Sequence, residues 1–95
     1  MYARVVSGSI PPDKIDEAVH LWQESVAPTA KQQHGFKKAR LFVERKIGKV
    51  TSMGLWETEA DVLASAQWNQ DQVAKFARLI AAPPNIELYE LAAEV

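Results

Sequence analysis

The dipeptide Trp68-Asn69 has the residue types that a site for a small phenolic or carbonyl compound needs. An indole ring packs against an aromatic ligand, and a neighbouring amide can hold the ligand's oxygen. We therefore take Trp68 and Asn69 as candidate catalytic residues. The structural alternative is that Asn69 caps the start of a helical segment.

The other two tryptophans, Trp22 and Trp56, each have two possible roles. Trp22 lies in the middle of an apolar stripe with helical spacing, and Trp56 ends an apolar run just before a second helix. Each ring either fills the core or forms the wall of a ligand pocket. We count both as candidate substrate-binding residues, and packing stays open as the alternative.

Arg4 and Tyr89 are polar residues within otherwise apolar strands, and both are candidate substrate-binding residues. If Arg4 faces the helices, its guanidinium can pair with an anionic substrate. If it faces the other way, it can form a salt bridge between subunits. Tyr89 offers its hydroxyl group either to the pocket or to a dimer interface, and the sequence leaves both orientations open.

No residue stands out as a general base. His20 falls on the polar side of the first helix, whereas His34 lies beside the C-terminus of that helix, where the helix dipole favours an imidazolium. Free imidazole titrates at about pH 6.5, so either histidine could serve as a base only if the fold brings it to the pocket, and we take His34 as the candidate catalytic residue. The two histidines are fourteen residues apart and the chain has no cysteine, so we predict no metal site.

Length, charge and hydropathy exclude several classes of protein. A chain of 95 residues predicts one domain, 1–95, and a net charge of −1 argues against a nucleic-acid partner, which favours a dense positive face. No apolar run approaches the roughly 20 residues of a membrane-spanning helix. The N-terminal residues contain no signal-peptide core. We therefore expect a cytoplasmic protein that has no membrane association.

Two elements in the first part of the chain must position these residues. Residues 2–10 alternate loosely and predict a strand, which Pro11-Pro12 ends because neither residue donates a backbone N–H. A helix of about five turns follows and ends at His34-Gly35. Pro28 is expected to kink or divide this helix. The apolar stripe of the helix consists of Ile15, Val19, Trp22, Val26 and Ala30.

The second part of the chain predicts a hairpin, a helical region and a last strand. Residues 36–47 and 50–57 predict two antiparallel strands joined by a turn at Gly48-Lys49. Thr58, with Asp61 three residues later, predicts a helix start. We expect this helical region to break at 68–72 and to end at Pro83-Pro84. Residues 86–95 predict the fourth strand.

The order β-α-β-β-α-β predicts an α+β, ferredoxin-like fold, in which a four-stranded antiparallel sheet carries both helices on one face. The strands are nevertheless apolar on both faces, and a sheet of that kind needs a second cover. A second copy of the chain is the simplest cover. We therefore expect a homodimer that forms through the open face of the sheet. The apolar residues predicted for one face or the other include Ala3, Val5, Met53, Leu55 and Leu91.

The run 35-GFKKARLFVERKIGKVTSMGLWETEADVLAS-65 resembles the antibiotic biosynthesis monooxygenase-like family of dimeric α+β barrels. The pattern of that family is Gly-Phe after the first helix, a hairpin, and then Trp-Glu followed by an acid-rich stretch and a helix. The run 83-PPNIELYEL-91 fits the entry to its last strand. The resemblance implies a homodimer with a pocket in each subunit between the sheet and the helices.

The same resemblance implies two possible functions. The family includes cofactor-free monooxygenases that oxidise phenolic or quinol-type compounds, enzymes that degrade haem, and members with no known substrate. Residues 58–82 contain no histidine, which the haem-degrading members would be expected to offer as a ligand. The resemblance thus favours a monooxygenase that uses no cofactor and acts on a small aromatic or quinol-type substrate. The alternative is a non-catalytic module that binds a small apolar ligand or a partner.

Overall fold

A single antiparallel sheet organises the computed structural model, which describes residues 1–95. The strands are β1 (Tyr2–Ser9), β2 (Phe36–Glu44), β3 (Lys49–Trp56) and β4 (Asn85–Glu90), and their order in the sheet is β2-β3-β1-β4. Both helical regions lie on one face of this sheet. The α+β, ferredoxin-like fold expected from the sequence is therefore confirmed.

The first helical region runs from residue 12 to residue 30 without a complete break. A 3-10 turn (Pro12–Lys14) leads into α1 (Ile15–Leu21), a π-helical turn (Trp22–Val26) and α2 (Ala27–Ala30). Pro28 has no N–H to donate, and just before it the N–H of Ala27 bonds to the carbonyl of Trp22, five residues back. The proline is thus accommodated by a π turn rather than by a division of the helix.

The predicted glycine cap is confirmed, whereas the hairpin turn lies earlier than predicted. Gly35 has a φ of +77°, which confirms the left-handed cap after the first helical region. The hairpin turn covers residues 45–48 rather than Gly48-Lys49. Gly48 has a φ of +71°, and Lys49 already belongs to β3 because its backbone pairs with Glu44.

The second helical region breaks earlier than predicted. Helix α3 (Glu59–Ala64) begins as expected, since the Thr58 Oγ1 accepts a hydrogen bond from the N–H of Asp61 at 3.1 Å. The break falls at Ser65, whose hydroxyl donates to the carbonyl of Val62 at 2.8 Å and so competes with the helical ladder. Helix α4 (Ala66–Lys75) then carries Trp68 and Asn69 in its interior. The predicted break at 68–72 and the capping role of Asn69 were therefore wrong.

Buried residues concentrate at the two ends of the sheet. At the end where β1 stops, Ile10, Ile15 and Leu79 form a cluster with Ala18. At the other end, Trp56 and Val62 are fully buried. Only 14 of the 95 residues are buried, because the helices cover one face of the sheet and leave a space between the two clusters. No helix is long and apolar enough to cross a membrane.

The register of the strands settles which residues share a face. Arg4 pairs with Gly54 and Leu88, so these three residues face the helices. Ala3 pairs with Leu55 and Tyr89, and this row lies on the open face. The open face also carries Phe42, Val5 and Met53, in agreement with the expectation that the sheet is apolar on both sides.

Candidate functional site

A cavity of about 90 Å³ lies between the helix-facing side of the sheet and the helices. Its floor comes from β1, β2 and β3, and its other walls come from the π turn and from α4. Of the 21 residues that line it, 14 are hydrophobic, so the cavity suits an apolar ligand. Its polar lining consists mainly of Arg4, Ser52, Asn69 and Gln72.

An aromatic wall closes the cavity at the end of β3. The Trp56 ring folds back over Gly54, the residue two positions earlier on the same face of the strand. The ring meets Trp68 edge-on with centroids 6.2 Å apart, and it meets Phe36 in the same way at 5.7 Å. Edge-to-face contacts of this kind hold the rings at fixed angles. Trp56 therefore fills the strand–helix corner and lines the cavity at the same time.

Trp22 and Trp68 line the cavity with their indole N–H groups bonded. The Trp22 Nε1 donates to the Ser52 hydroxyl at 3.0 Å, and the Trp68 Nε1 donates to the Thr29 hydroxyl at 2.8 Å. Each bond joins a helix to the sheet or to the other helical region. Both rings are thus fixed in orientation at the wall of the cavity.

Arg4 lies inside the site, with its side chain towards the helices. It is only 5% exposed, its Nη2 donates to the Val62 carbonyl at 2.6 Å, and its guanidinium carbon lies 5.1 Å from the centroid of the Trp56 ring. Burial lowers the pKa of the Arg4 guanidinium from its usual value. Of the two orientations left open by the sequence, the structure has the one in which Arg4 can meet a ligand.

Asn69 and Gln72 bring amide groups to the cavity from α4. Gln72 is buried, and its Oε1 accepts a hydrogen bond from the Ser25 hydroxyl at 2.7 Å, which ties α4 to the π turn. Asn69 is half-buried and lies one turn before it. The amide of Asn69 is therefore the one that a ligand oxygen can reach with the least rearrangement.

His34 and Tyr89 do not line the cavity, so they lie apart from the other predicted site residues. The side chain of His34 is 94% exposed and its Nε2 is 3.6 Å from a carboxylate oxygen of Asp61. Tyr89 lies on the open face, where its hydroxyl donates to Glu87 at 2.7 Å. That bond raises the pKa of Tyr89, because the carboxylate favours the protonated phenol.

Arg4 is the only ionisable side chain that lines the cavity. His20, the other histidine, pairs with Glu24 at 2.8 Å on the solvent side of the first helical region. The protein contains no cluster of three or more histidine and carboxylate side chains that could hold a metal ion. The site can therefore bind and orient a ligand, but it offers no side chain that could take a proton.

Sequence reasoning missed Gly54, Phe36 and Gln72 as residues of the site. Gly54 had a usable signal, because it stands two residues before Trp56 in a strand and so lies under its ring. Gln72 falls within the stretch that was expected to break the helical region, and its position inside α4 depends on where that break lies. Nothing in the sequence near Phe36 distinguishes a cavity residue from an ordinary strand residue.

Comparisons with known proteins identify the fold through structure alone. No protein-family model matches the chain, and no curated protein matches it in sequence. A monooxygenase from the gene ActVA-Orf6 of Streptomyces coelicolor, solved with the ligand nanaomycin D, has a TM-score of 0.82 at 16% identity. That match covers 99% of this chain and 89% of the other.

Two further structures agree with this match. A protein of unknown function from Nitrosomonas europaea has a TM-score of 0.80 at 21% identity and covers 99% of this chain and 91% of its own. A Deinococcus radiodurans protein assigned as an antibiotic biosynthesis monooxygenase has a TM-score of 0.79 at 12% identity, over 100% of this chain and 96% of its own. The chain therefore has the fold of the antibiotic biosynthesis monooxygenases, as its sequence resemblance implied.

Proposed function

We propose that the protein is a monooxygenase that uses no cofactor and acts on a small aromatic substrate held between the sheet and the helices. The observation that carries this proposal is the apolar cavity walled by Trp22, Trp56 and Trp68. An engineered cavity of ~150 Å³ holds benzene, so 90 Å³ limits the buried part of a ligand to about one ring. The shared fold with a monooxygenase that binds nanaomycin D supports the same class of ligand.

The reaction needs little from the protein beyond binding. An electron-rich phenolate passes an electron to O₂, the ring carbon and oxygen then form a bond, and the O–O bond breaks as water leaves. Phenol and O₂ thus give quinone and water, with all four electrons supplied by the substrate. Trp56 and Trp68 exclude water from the ring, and Asn69 holds a ligand oxygen. The missing base restricts the enzyme to phenols that ionise readily in solution.

Oxygen uptake with a series of phenols and hydroquinols, measured at pH values where the phenolate form is populated, tests this proposal. We expect substrate-dependent uptake of one O₂ per quinone, with one labelled oxygen atom incorporated from ¹⁸O₂. Trp68→Ala and Asn69→Ala are each expected to reduce kcat/KM by about tenfold or more, because they remove a wall and an oxygen partner. Gln70→Ala is the matched control, since Gln70 is exposed on the same helix. Uptake that both site variants leave unchanged would exclude this site.

The second candidate function is binding without catalysis. The observation in its favour is that Arg4 is the only ionisable side chain around the cavity, so no group there can move a proton. A binding module would bind a phenol, as measured by titration of tryptophan fluorescence, but would consume no oxygen in its presence. The two measurements, made on the same preparation, separate the two functions.

We also propose that the protein acts as a homodimer that forms through the open sheet face. Phe42 is 57% exposed and Tyr89 is 49% exposed on this face, and only 14 residues of the single chain are buried. Lys38 and Arg40 stand on β2 at one edge, and Glu87 stands on β4 at the other. A two-fold axis parallel to the strands places β2 of one copy over β4 of the next, so the opposite charges meet.

Light scattering on a gel-filtration column checks the dimer. The wild-type protein is expected to have twice the mass of one chain at micromolar concentration. Phe42→Glu is expected to yield a monomer, because it places a charge in the apolar face without touching the core. Ile47→Glu is the control, since Ile47 is 72% exposed in the hairpin turn. A wild-type monomer, or a Phe42→Glu variant that stays dimeric, contradicts this interface.

A further inference from the structure

Two buried N–H groups of the site have no acceptor. The Nη1 of Arg4 and the Nε1 of Trp56 are both shielded from solvent and make no hydrogen bond within the protein. The two residues are 5% and 2% exposed, and the guanidinium lies over the indole ring. An unsatisfied buried donor destabilises a fold, so the few that occur need an explanation. The N–H groups of the other two indoles, by contrast, are bonded.

The positive charge of Arg4 is also without a counter-charge. The salt bridges of the protein involve other residues, and no carboxylate lines the cavity. Transfer of a cation into an apolar interior is costly unless a negative group pairs with it. The only hydrogen-bond acceptor of the guanidinium inside the protein is the neutral carbonyl of Val62. A ligand that brings a negative oxygen would supply both the missing acceptor and the missing charge.

We propose that the cavity selects aromatic ligands that carry an oxygen anion, a phenolate or a carboxylate, and that Arg4 Nη1 and Trp56 Nε1 bind this oxygen. Arg4 is then the residue that determines charge specificity. This inference rests on the proposed function, because it concerns the same cavity and narrows its substrates to acidic arenes. It also accounts for a site with no base, since the substrate arrives already ionised and Arg4 stabilises that form.

A pair of probes of nearly equal shape tests the charge preference. Benzoate is anionic and benzamide is neutral, each has the single ring that the cavity can hold, and the change in tryptophan fluorescence reports the binding of each. We expect the wild-type protein to bind the carboxylate at least tenfold more tightly. Arg4→Met is expected to abolish that preference, and Arg4→Lys to retain part of it, because lysine keeps the charge but lacks the planar fork. Arg45→Met, in the exposed hairpin turn and outside the cavity lining, is the control and is expected to retain the full preference.

Two further measurements distinguish the role of the Trp56 N–H from that of Arg4, and a carboxylate ligand from a phenolate ligand. Trp56→Phe removes the indole N–H while keeping a ring, so we expect a loss of severalfold in carboxylate affinity and a smaller loss in amide affinity, because a hydrogen bond to a charged acceptor is the stronger one. 4-Nitrophenol ionises near neutral pH, and its affinity is expected to rise with the phenolate fraction in the wild type but not in Arg4→Met. A rise for nitrophenol without a preference for benzoate assigns the site to phenolates.

The possible negative results have different consequences. Equal affinity of the wild type for all the charged and neutral probes would overturn the anion site and leave the aromatic cavity standing. A charge preference that persists in Arg4→Met would assign it to another residue and overturn the role of Arg4. If no probe binds at all, both the cavity as a ligand site and the anion site within it are wrong.

Discussion

Gly54→Ala is expected to lower the melting temperature by roughly 4–24 °C. A Cβ at this position lies 2.5 Å from the Trp56 ring, far inside van der Waals contact. The ring is 2% exposed and can move only away from the sheet, into the cavity and against Trp68. Overpacking of a well-filled core costs about 1–3 kcal/mol, and each kcal/mol shifts the midpoint of a domain of this size by about 4–8 °C. The displaced ring also removes the ligand space.

Gly8→Ala is the matched control for this prediction. Gly8 lies on the same helix-facing side, but its added Cβ comes no closer than 3.5 Å to the Ile80 side chain, an ordinary contact. We expect its melting temperature to stay within a few degrees of the wild type, because alanine also restricts the unfolded chain. Thermal unfolding by circular dichroism at one fixed protein concentration compares the two variants. A Gly54→Ala protein as stable as Gly8→Ala would refute the packing of Trp56 described above.

The fold was predictable because its signals are local and mutually consistent. Alternation marked the strands, helical spacing marked the first helix, and Thr58 with Asp61 marked the start of the next. The break in the second helical region was not predictable in the same way. Polar residues at 69–72 suggested a break, but Gln70 and Asp71 simply face solvent on α4, and Asn69 and Gln72 line the cavity. The hydroxyl of Ser65 interrupts the ladder instead.

The candidate site was predictable by residue type and less so by orientation. Trp22, Trp56, Trp68 and Asn69 meet around one cavity, as the ligand-site reading required. The placement of Arg4 and Tyr89 on opposite faces depends on strand register, which a one-residue shift reverses. His34 could not be placed either, because it precedes the glycine cap, and the direction of a side chain there depends on how the chain leaves the helix.

Arg4→Met is expected to raise the melting temperature by roughly 4–8 °C while it abolishes the preference for anionic ligands. The guanidinium contributes a cation–π contact of about 0.5–2 kcal/mol and one hydrogen bond, but the desolvation of its charge costs several kcal/mol. Methionine keeps an unbranched stem over the Trp56 ring. The Val62 carbonyl still accepts hydrogen bonds from the hydroxyl and the N–H of Ser65. It therefore does not become unsatisfied when the bond from Arg4 is lost. A net gain of about 1 kcal/mol is therefore expected, and that corresponds to this shift.

This result separates a functional arginine from a structural one. If Arg4 holds α3 to the sheet, Arg4→Met destabilises the protein, and the buried cation is explained without a ligand. If Arg4 is an anion-binding residue, its removal stabilises the empty protein, and benzoate raises the melting temperature of the wild type more than that of Arg4→Met. Arg4→Ala is the control for packing: it removes the same charge but leaves a void beside Trp56, so its melting temperature is expected to fall below that of Arg4→Met. A wild-type protein more stable than Arg4→Met in the absence of ligand would contradict the prediction.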